Sequence, residues 1–170
     1  MTEELPYIVE SVRDGFEIRH YPRHFLAQVQ VAGDFMSAGN IGFGPLARFI
    51  SGNNAQSQSI AMTAPVIQET VAPETHCVSF VLPANYDASS IPAPKNALVT
   101  IVEVTPKRVA VRAFKGGWKS SRFESNRDAL EAAVHAADLT THGNAYFARF
   151  DPPWKPGFLK RNEVLIDLAT

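Results

Sequence analysis

"ALVTIVEVTPKRVAVRAF", residues 97–114, decides the fold, because here the chain starts its pattern of elements a second time. Two runs rich in β-branched residues flank Pro106-Lys107, and the spacing predicts a pair of strands with a turn at that dipeptide. Upstream, Pro83, Pro92 and Pro94 among small polar neighbours mark residues 83–97 as a linker. Downstream, "SSRFESNRDALEAAVHAADL" (120–139) predicts a helix with Phe123, Leu130 and Val134 on one face, and Ala133 and Ala137 beside them. "AYFARF" (145–150) and "NEVLIDL" (162–168) follow as strands.

The first half reads in the same order. "YIVESVRDGFEIRHY" (7–21) is a hairpin around Asp14-Gly15, in which Phe16, Ile18 and His20 share one face and Glu17, Arg19 and Tyr21 the other. In "HFLAQVQVAG" (24–33), Phe25, Ala27, Val29 and Val31 oppose Gln28 and Gln30, which is a half-buried strand. "SAGNIGFGPLARFISGNN" (37–54) predicts a helix with Ser37 as N-cap, Leu46, Phe49 and Ile50 on one face, and Gly52 as the stop. Gly42, Gly44 and Pro45 predict that this helix bends or starts late. "IAMTAPVIQE" (60–69) and "HCVSFVLP" (76–83) are extended. Each half is thus strand–strand–helix–strand–strand, the first with one extra strand. The expected class is α+β, one domain over residues 1–170 with internal halves at about 7–82 and 97–168. Two helices cover an antiparallel sheet long enough to curl into a barrel-like form with a cleft.

Composition narrows the function. The chain is 45% hydrophobic and 19% charged, which suits a folded globule, and no apolar run approaches the roughly 18 residues of a membrane span. Sixteen basic against seventeen acidic residues leave no surplus to neutralise phosphates, so neither nucleic-acid binding nor membrane insertion is expected. The acidic start "MTEELPYIVE" has no apolar core of a secretory signal, and Cys77 stands alone, so the expected location is the cytoplasm.

No nucleophile elbow, phosphate loop or H-E-x-x-H motif is present. His20, His24, His76, His135 and His142 are scattered, and Pro22 prevents His20 and His24 from sharing a helix face. Adjacent His76 and Cys77 point to opposite faces of a strand, which leaves Cys77 a small strand thiol rather than a nucleophile. Glu69 and Glu103 are the carboxylates that a small hydrolase acting on hydrophobic electrophiles could use, although neither belongs to a motif. A ligand-free interaction module is the third alternative. "DPPWKPGFLKRNEV" (151–164) reads as a rigid flap, stiffened by Pro152, Pro153 and Pro156 and packed down by Trp154, Phe158 and Leu159.

Together, "GFEIRHYP", "GFGPLARFISGNN", "IAMTAPVIQE", "VSFVLP", "RVAVRAFKGGW" and "YFARFDPPWKPGFLKRNEV" resemble the SOUL/heme-binding-protein family, in order, from about Tyr7 to Leu168. The resemblance implies two pseudo-symmetric halves forming a distorted antiparallel β-barrel with two flanking helices, similar to ligand-binding domains of bacterial multidrug-sensing regulators. It implies a non-catalytic carrier or buffer of heme, bound non-covalently as b-type heme, or of free porphyrin. In one branch a histidine at the position of His20 is the proposed axial iron ligand. In another the ring lies in an apolar groove along the first helix, where the matching positions are Ile41, Phe43, Leu46, Phe49, Ile50 and Met62. Arg48 on that helix offers a two-pronged partner to a propionate.

Overall fold

The computed structural model of the chain describes residues 2–169. Its elements are β1 (Glu3–Glu4), β2 (Ile8–Arg13), β3 (Phe16–Tyr21), β4 (His24–Ala32), α1 (Phe35–Ile50), β5 (Thr63–Ala64), β6 (Val66–Ala72) and β7 (Thr75–Val81). They continue with β8 (Thr100–Val104), β9 (Lys107–Lys115), α2 (Ser120–Ala136), β10 (Thr141–Arg149), a 3-10 turn at Gly157–Leu159 and β11 (Arg161–Leu168). Two compact units result. The first holds the chain up to Leu5 and Arg23–Thr105; the second holds Pro6–Pro22 and the chain from Pro106 onward.

The units repeat one plan. In the first, strand β4 leads into α1 and then the β6–β7 hairpin, and β4 pairs antiparallel with β7 on one side and β8 on the other, giving the order β6-β7-β4-β8. In the second, β9 leads into α2 and then β10 and β11, and β9 lies between β11 and β3, with β2 outside β3. The units share this plan but are not the halves expected at about 7–82 and 97–168, since Pro6–Pro22 belongs with the chain from Pro106 onward, and the strand pair expected over residues 97–114 is not a hairpin. Thr100–Val104 pairs with β4 (His24↔Val104 through Gln28↔Thr100), while Lys107–Lys115 pairs with β3 and β11. The chain passes from one unit to the other at Leu5-Pro6, Pro22-Arg23 and Thr105-Pro106. Proline has no N–H to continue a ladder, so each strand stops cleanly there.

The expected barrel does not form. β2 pairs only with β3 and β8 only with β4, so both remain open edges and the sheet is not closed. Closure needs edge strands to bond. Here β2 is bulged between Val9 and Ser11 and exposes Glu10 and Arg13, and β8 exposes Thr100 and Glu103, features that blunt an edge against further pairing.

Helix α1 begins earlier than its glycines suggest. The N-cap is Asp34, not Ser37: its Oδ1 accepts from the Ser37 N–H at 2.8 Å and its Oδ2 from the Ser37 hydroxyl at 3.0 Å. Pro45 lies inside the helix. Ala38, Gly42, Leu46 and Phe49 form the buried line and pack on β4 and β7, with Val29, Val31, Val78 and Phe80 below. Gly42 sets this approach, since a Cβ there would stand 2.8 Å from Val78 Cβ and 3.2 Å from Val29 Cγ2. Gly42→Ala is therefore expected to destabilise the protein. The strain of overpacking, about 1–3 kcal/mol, exceeds the gain of up to about 1 kcal/mol in helix propensity; a raised urea midpoint would contradict the close-approach argument.

The α2 face matches its sequence reading. Phe123, Leu130 and Val134 are the buried residues of the helix, and Phe123 meets Phe114 and Phe147 edge-on at 5.3 and 4.9 Å between ring centroids.

Candidate functional site

At roughly 100° per residue, the residues named along the first helix divide among three sides of α1. Leu46 and Phe49 lie underneath, 0% and 1% exposed, filling the helix–sheet contact, so they form a floor and not a ligand-facing wall. Phe43 and Ile50 lie on one flank with Met36. Phe43 is 43% exposed and packs edge-on against Phe80 at 5.2 Å, while Ile50 is half-buried against the core. Ile41 and Arg48 lie on the opposite flank, and both are exposed.

Between the flanks, farthest from the sheet, run three short residues: Asn40, Gly44 and Ala47. Asn40 is exposed and Gly44 and Ala47 are half-buried, with Phe43 and Ile41 on the two flanks. The Arg48 guanidinium lies back along the helix, and a Cβ at Gly44 would meet its Nη1 at 3.5 Å. Met62 is exposed on the segment that enters β5. That segment is anchored by a hydrogen bond from the Thr63 hydroxyl to the Val81 carbonyl, by the parallel β1–β5 pairing and by the Leu5 N–H to the Ala64 carbonyl at 3.0 Å. Pro65, the residue after β5, follows a cis peptide bond.

The end of α1 is fixed by a residue that sequence reading passed over. Asn54 is fully buried; its Nδ2 donates to the carbonyls of Phe49 and Gln58, and its Oδ1 accepts from the N–H groups of Gln56 and Gln58. One side-chain amide thereby closes the "SGNNAQSQ" loop, which is what the asparagine in that motif does.

His20 belongs to the other compact unit. It is the penultimate residue of β3, on the same face as Phe16 and Ile18, with its side chain about half exposed. Its Nε2 lies 2.7 Å from Glu10 Oε1, and because a carboxylate only accepts, Nε2 donates in this bond. Glu10 also receives Arg108 in a two-pronged pair at 2.9 and 2.6 Å. The hydrogen bond from Arg108, then that from His20, hold the Glu10 carboxyl at about 2, well below its ordinary value.

On the opposite face of β3 lies a buried charged network, again missed in the sequence. Arg19 and Glu163 are 4% and 3% exposed. Arg19 Nη1 and Nη2 donate to the two Glu163 oxygens at 3.0 and 2.8 Å, Nη1 also reaches the Tyr21 hydroxyl at 2.9 Å, and Nε reaches Glu17 at 2.6 Å. The Tyr7 ring covers the guanidinium at 3.9 Å. Burial opposes the charge on Arg19, but the hydrogen bond and charge of Glu163 outweigh it and raise the guanidinium above its ordinary value. Burial likewise pushes the Tyr21 phenol up. Alternation alone did not signal it: the residues that share a face with Arg19 are Glu17 and Tyr21, and those flanking Glu163 on its face are Arg161 and Leu165.

The remaining candidates are structural or exposed. His76 is buried, donating from Nε2 to the Gly33 carbonyl and accepting at Nδ1 from Thr70, both at 3.0 Å. Cys77 is half-buried opposite Glu69, and burial pushes its thiol pKa up, away from nucleophile character. Glu103 is exposed and paired with Arg23 at 2.8 Å. Among the described residues no cluster of three or more His, Cys, Asp or Glu could hold a metal ion. The loop after β10 does not pack down as expected: Trp154, Phe158 and Leu159 are 84%, 76% and 46% exposed.

Comparisons with known proteins agree with this fold. The family described as SOUL heme-binding protein matches residues 2–167. Heme-binding protein 1 of Xenopus laevis is 28% identical over 168 residues, covering 92% of this chain and 86% of that protein. The EcmrR C-terminal domain is similar in structure, with a TM-score of 0.69 at 13% identity over 96% of this chain and 98% of its own. A hydrolase from Listeria innocua follows, with a TM-score of 0.61 at 8% identity and 94% coverage of each chain. At such identities the structural likeness concerns the fold alone.

Proposed function

The chain belongs to the SOUL heme-binding protein family, and on that premise we propose that it binds heme or a related tetrapyrrole as a non-catalytic carrier or buffer, through the outer face of α1. The observation that carries this reading is the row of short residues Asn40, Gly44 and Ala47 on the outer side of α1, between exposed Phe43 and Ile41 with Arg48 beside it. A planar apolar ring needs short side chains at the centre of its surface and apolar groups at its edge, and Arg48, whose guanidinium lies by Gly44, would swing aside to meet a propionate. Arg48 has no carboxylate partner among the described residues and is exposed, so it is available to a propionate. Met36, Ile50 and Met62 extend the apolar surface available to the ring.

The chemistry such a group supplies when bound is that of its own metal and conjugated ring; the protein's part is binding and orientation. Contact over roughly 200 Å² at about 25 cal/mol per Å² yields about 5 kcal/mol before ordering costs. Binding of this kind does not read the metal. Hemin and metal-free protoporphyrin are expected to bind within a few-fold of each other.

A titration with hemin, followed by its Soret band, tests the proposal. The wild-type protein saturates; Phe43→Ser and Gly44→Glu each weaken binding about tenfold, equivalent to about 1.4 kcal/mol, measured at a temperature where both variants remain folded. Unchanged affinity in both variants would remove the helix surface from consideration. A second reading rests on His20, whose Nε2 is held by Glu10, so that Nδ1 is the ring nitrogen left to face a metal, the carboxylate–imidazole arrangement common to metal-ligating histidines. It predicts that His20→Ala abolishes the band shift of hemin and leaves metal-free protoporphyrin binding intact.

A further inference from the structure

The exposed aromatic loop of the second unit has no role in ring binding on α1, and its surroundings are specific. Residues 115–122 and 149–161 meet at one end of the unit. The Gly116 N–H donates to the Lys160 carbonyl at 3.1 Å, Asn162 Nδ2 donates to the Gly116 carbonyl at 2.9 Å, and the Trp118 indole N–H donates to Asn162 Oδ1 at 3.0 Å. Gly157 packs directly on Gly117, with a Cβ at Gly157 only 3.5 Å from Gly117 Cα.

The loop is held stiff. Asp151 Oδ2 accepts from the Arg161 N–H at 2.5 Å and Oδ1 from Lys155 Nζ at 2.8 Å, while Pro152, Pro153 and Pro156 limit its conformations. Its large apolar side chains nevertheless point to solvent, Trp154 and Phe158 almost fully. Three exposed large apolar groups on a preorganised loop bind with little ordering cost.

Charge is concentrated at the same place. Residues 115–122 hold three cations and residues 149–161 hold four, against the single carboxylate Asp151, in a chain whose formal charge is −1. Lys115 and Lys119 are exposed and have no carboxylate partner among the described residues. Lys160 Nζ lies 3.8 Å from the Trp118 ring centroid and Arg149 Cζ lies 5.1 Å from it, so cations also back the loop from inside. A tryptophan and a phenylalanine next to basic residues match the boundary of a bilayer, where indole and phenyl rings settle at headgroup depth and cations meet anionic lipids.

We propose that this basic, aromatic end of the second unit docks peripherally on an anionic phospholipid surface, with Trp154 and Phe158 entering the interface and Lys115 and Lys119 facing lipid phosphates. No helix among the described residues is long and apolar enough to cross a membrane, and the docking needs none. Trp118, with its indole N–H bonded to Asn162 and Lys160 against its ring, stays within the protein, so Trp154 is the tryptophan whose surroundings change.

The test is co-sedimentation of the whole chain with vesicles of phosphatidylcholine alone, or with a quarter of the lipid replaced by phosphatidylserine, while tryptophan emission is recorded. The serine-containing vesicles are expected to bind at least about tenfold more tightly than phosphatidylcholine alone, high salt to reverse the binding, and the emission to shift to the blue. Trp154→Phe keeps the binding and loses the blue shift. The double variant Trp154→Ser, Phe158→Ser loses binding about tenfold or more at an unchanged unfolding midpoint. Equal sedimentation of wild type and double variant, or no vesicle binding by either, overturns the proposal. So does an emission shift caused by a protein or single-stranded nucleic acid and not by vesicles.

Discussion

Replacing Glu163 with alanine lowers the stability of the protein by about 3–5 kcal/mol, equivalent to roughly 6–20 °C in Tm for a chain of this size. The reason is what the substitution leaves behind. Arg19 is 4% exposed, and in the wild type its Nη1 and Nη2 donate to Glu163 at 3.0 and 2.8 Å. Without the carboxylate, Tyr21 and Glu17 still accept from Arg19, but Nη2 loses the Glu163 oxygen and the buried cation loses the buried anion beside it. The sign of the double variant separates this account from a simple cavity. Arg19→Met with Glu163→Leu removes both charges and keeps volume, and is expected to be more stable than Glu163→Ala by at least about 2 kcal/mol in urea unfolding. If the double variant is the less stable of the two, packing and not the unpaired charge sets the cost.

Phe123→Ala comes next, with an expected loss of about 3–5 kcal/mol. Phe123 is 0% exposed, and its ring is the one that meets both Phe114 on β9 and Phe147 on β10. Alanine would leave a void between α2 and the sheet, bounded by two rings already engaged edge-on. Phe123→Leu fills most of that space and is expected to lose less than half as much. Near-equal losses for the two variants would mean that the edge-on ring contacts, not the volume, hold α2 down. Both comparisons use the unfolding midpoint and slope, and a changed slope would mark an altered denatured state.

Helix α2 was legible because its apolar spacing runs uninterrupted by glycine or proline. Helix α1 was legible in existence and in its end, but not in its start. Asp34 is three residues before Ser37, and either can cap; the choice fell to the residue whose carboxylate reaches back over the first turn. The strands over 97–114 were legible and their partners were not. A period of two assigns faces, whereas the choice between pairing locally and pairing with β3 or β4 depends on contacts many residues away. Open edges were invisible for the same reason.

For the candidate site, residue type was a good guide to chemistry and a poor guide to side. Ile41, Phe43, Leu46, Arg48, Phe49 and Ile50 fall within ten residues, yet the turn of the helix sends Leu46 and Phe49 to the sheet and separates Phe43 from Ile41. His20 drew attention because imidazole binds iron, while its neighbour Arg19 went unremarked. The "EIRHY" and "RNEV" motifs each supply one half of the buried Arg19–Glu163 pair, which gives a stability reason for their specificity beyond any ligand. The exposed Trp154 and Phe158 reversed a sound general rule, that large apolar side chains on a proline-stiffened connection pack inward.

Backbone amide shifts recorded while metal-free protoporphyrin is added to the labelled protein test the ring-binding surface most directly. The proposal predicts saturable changes confined mainly to residues 36–50 and the segment around Met62, with little change at His20. Changes centred on His20 and Glu10, or spread evenly at no saturating dose, would contradict it.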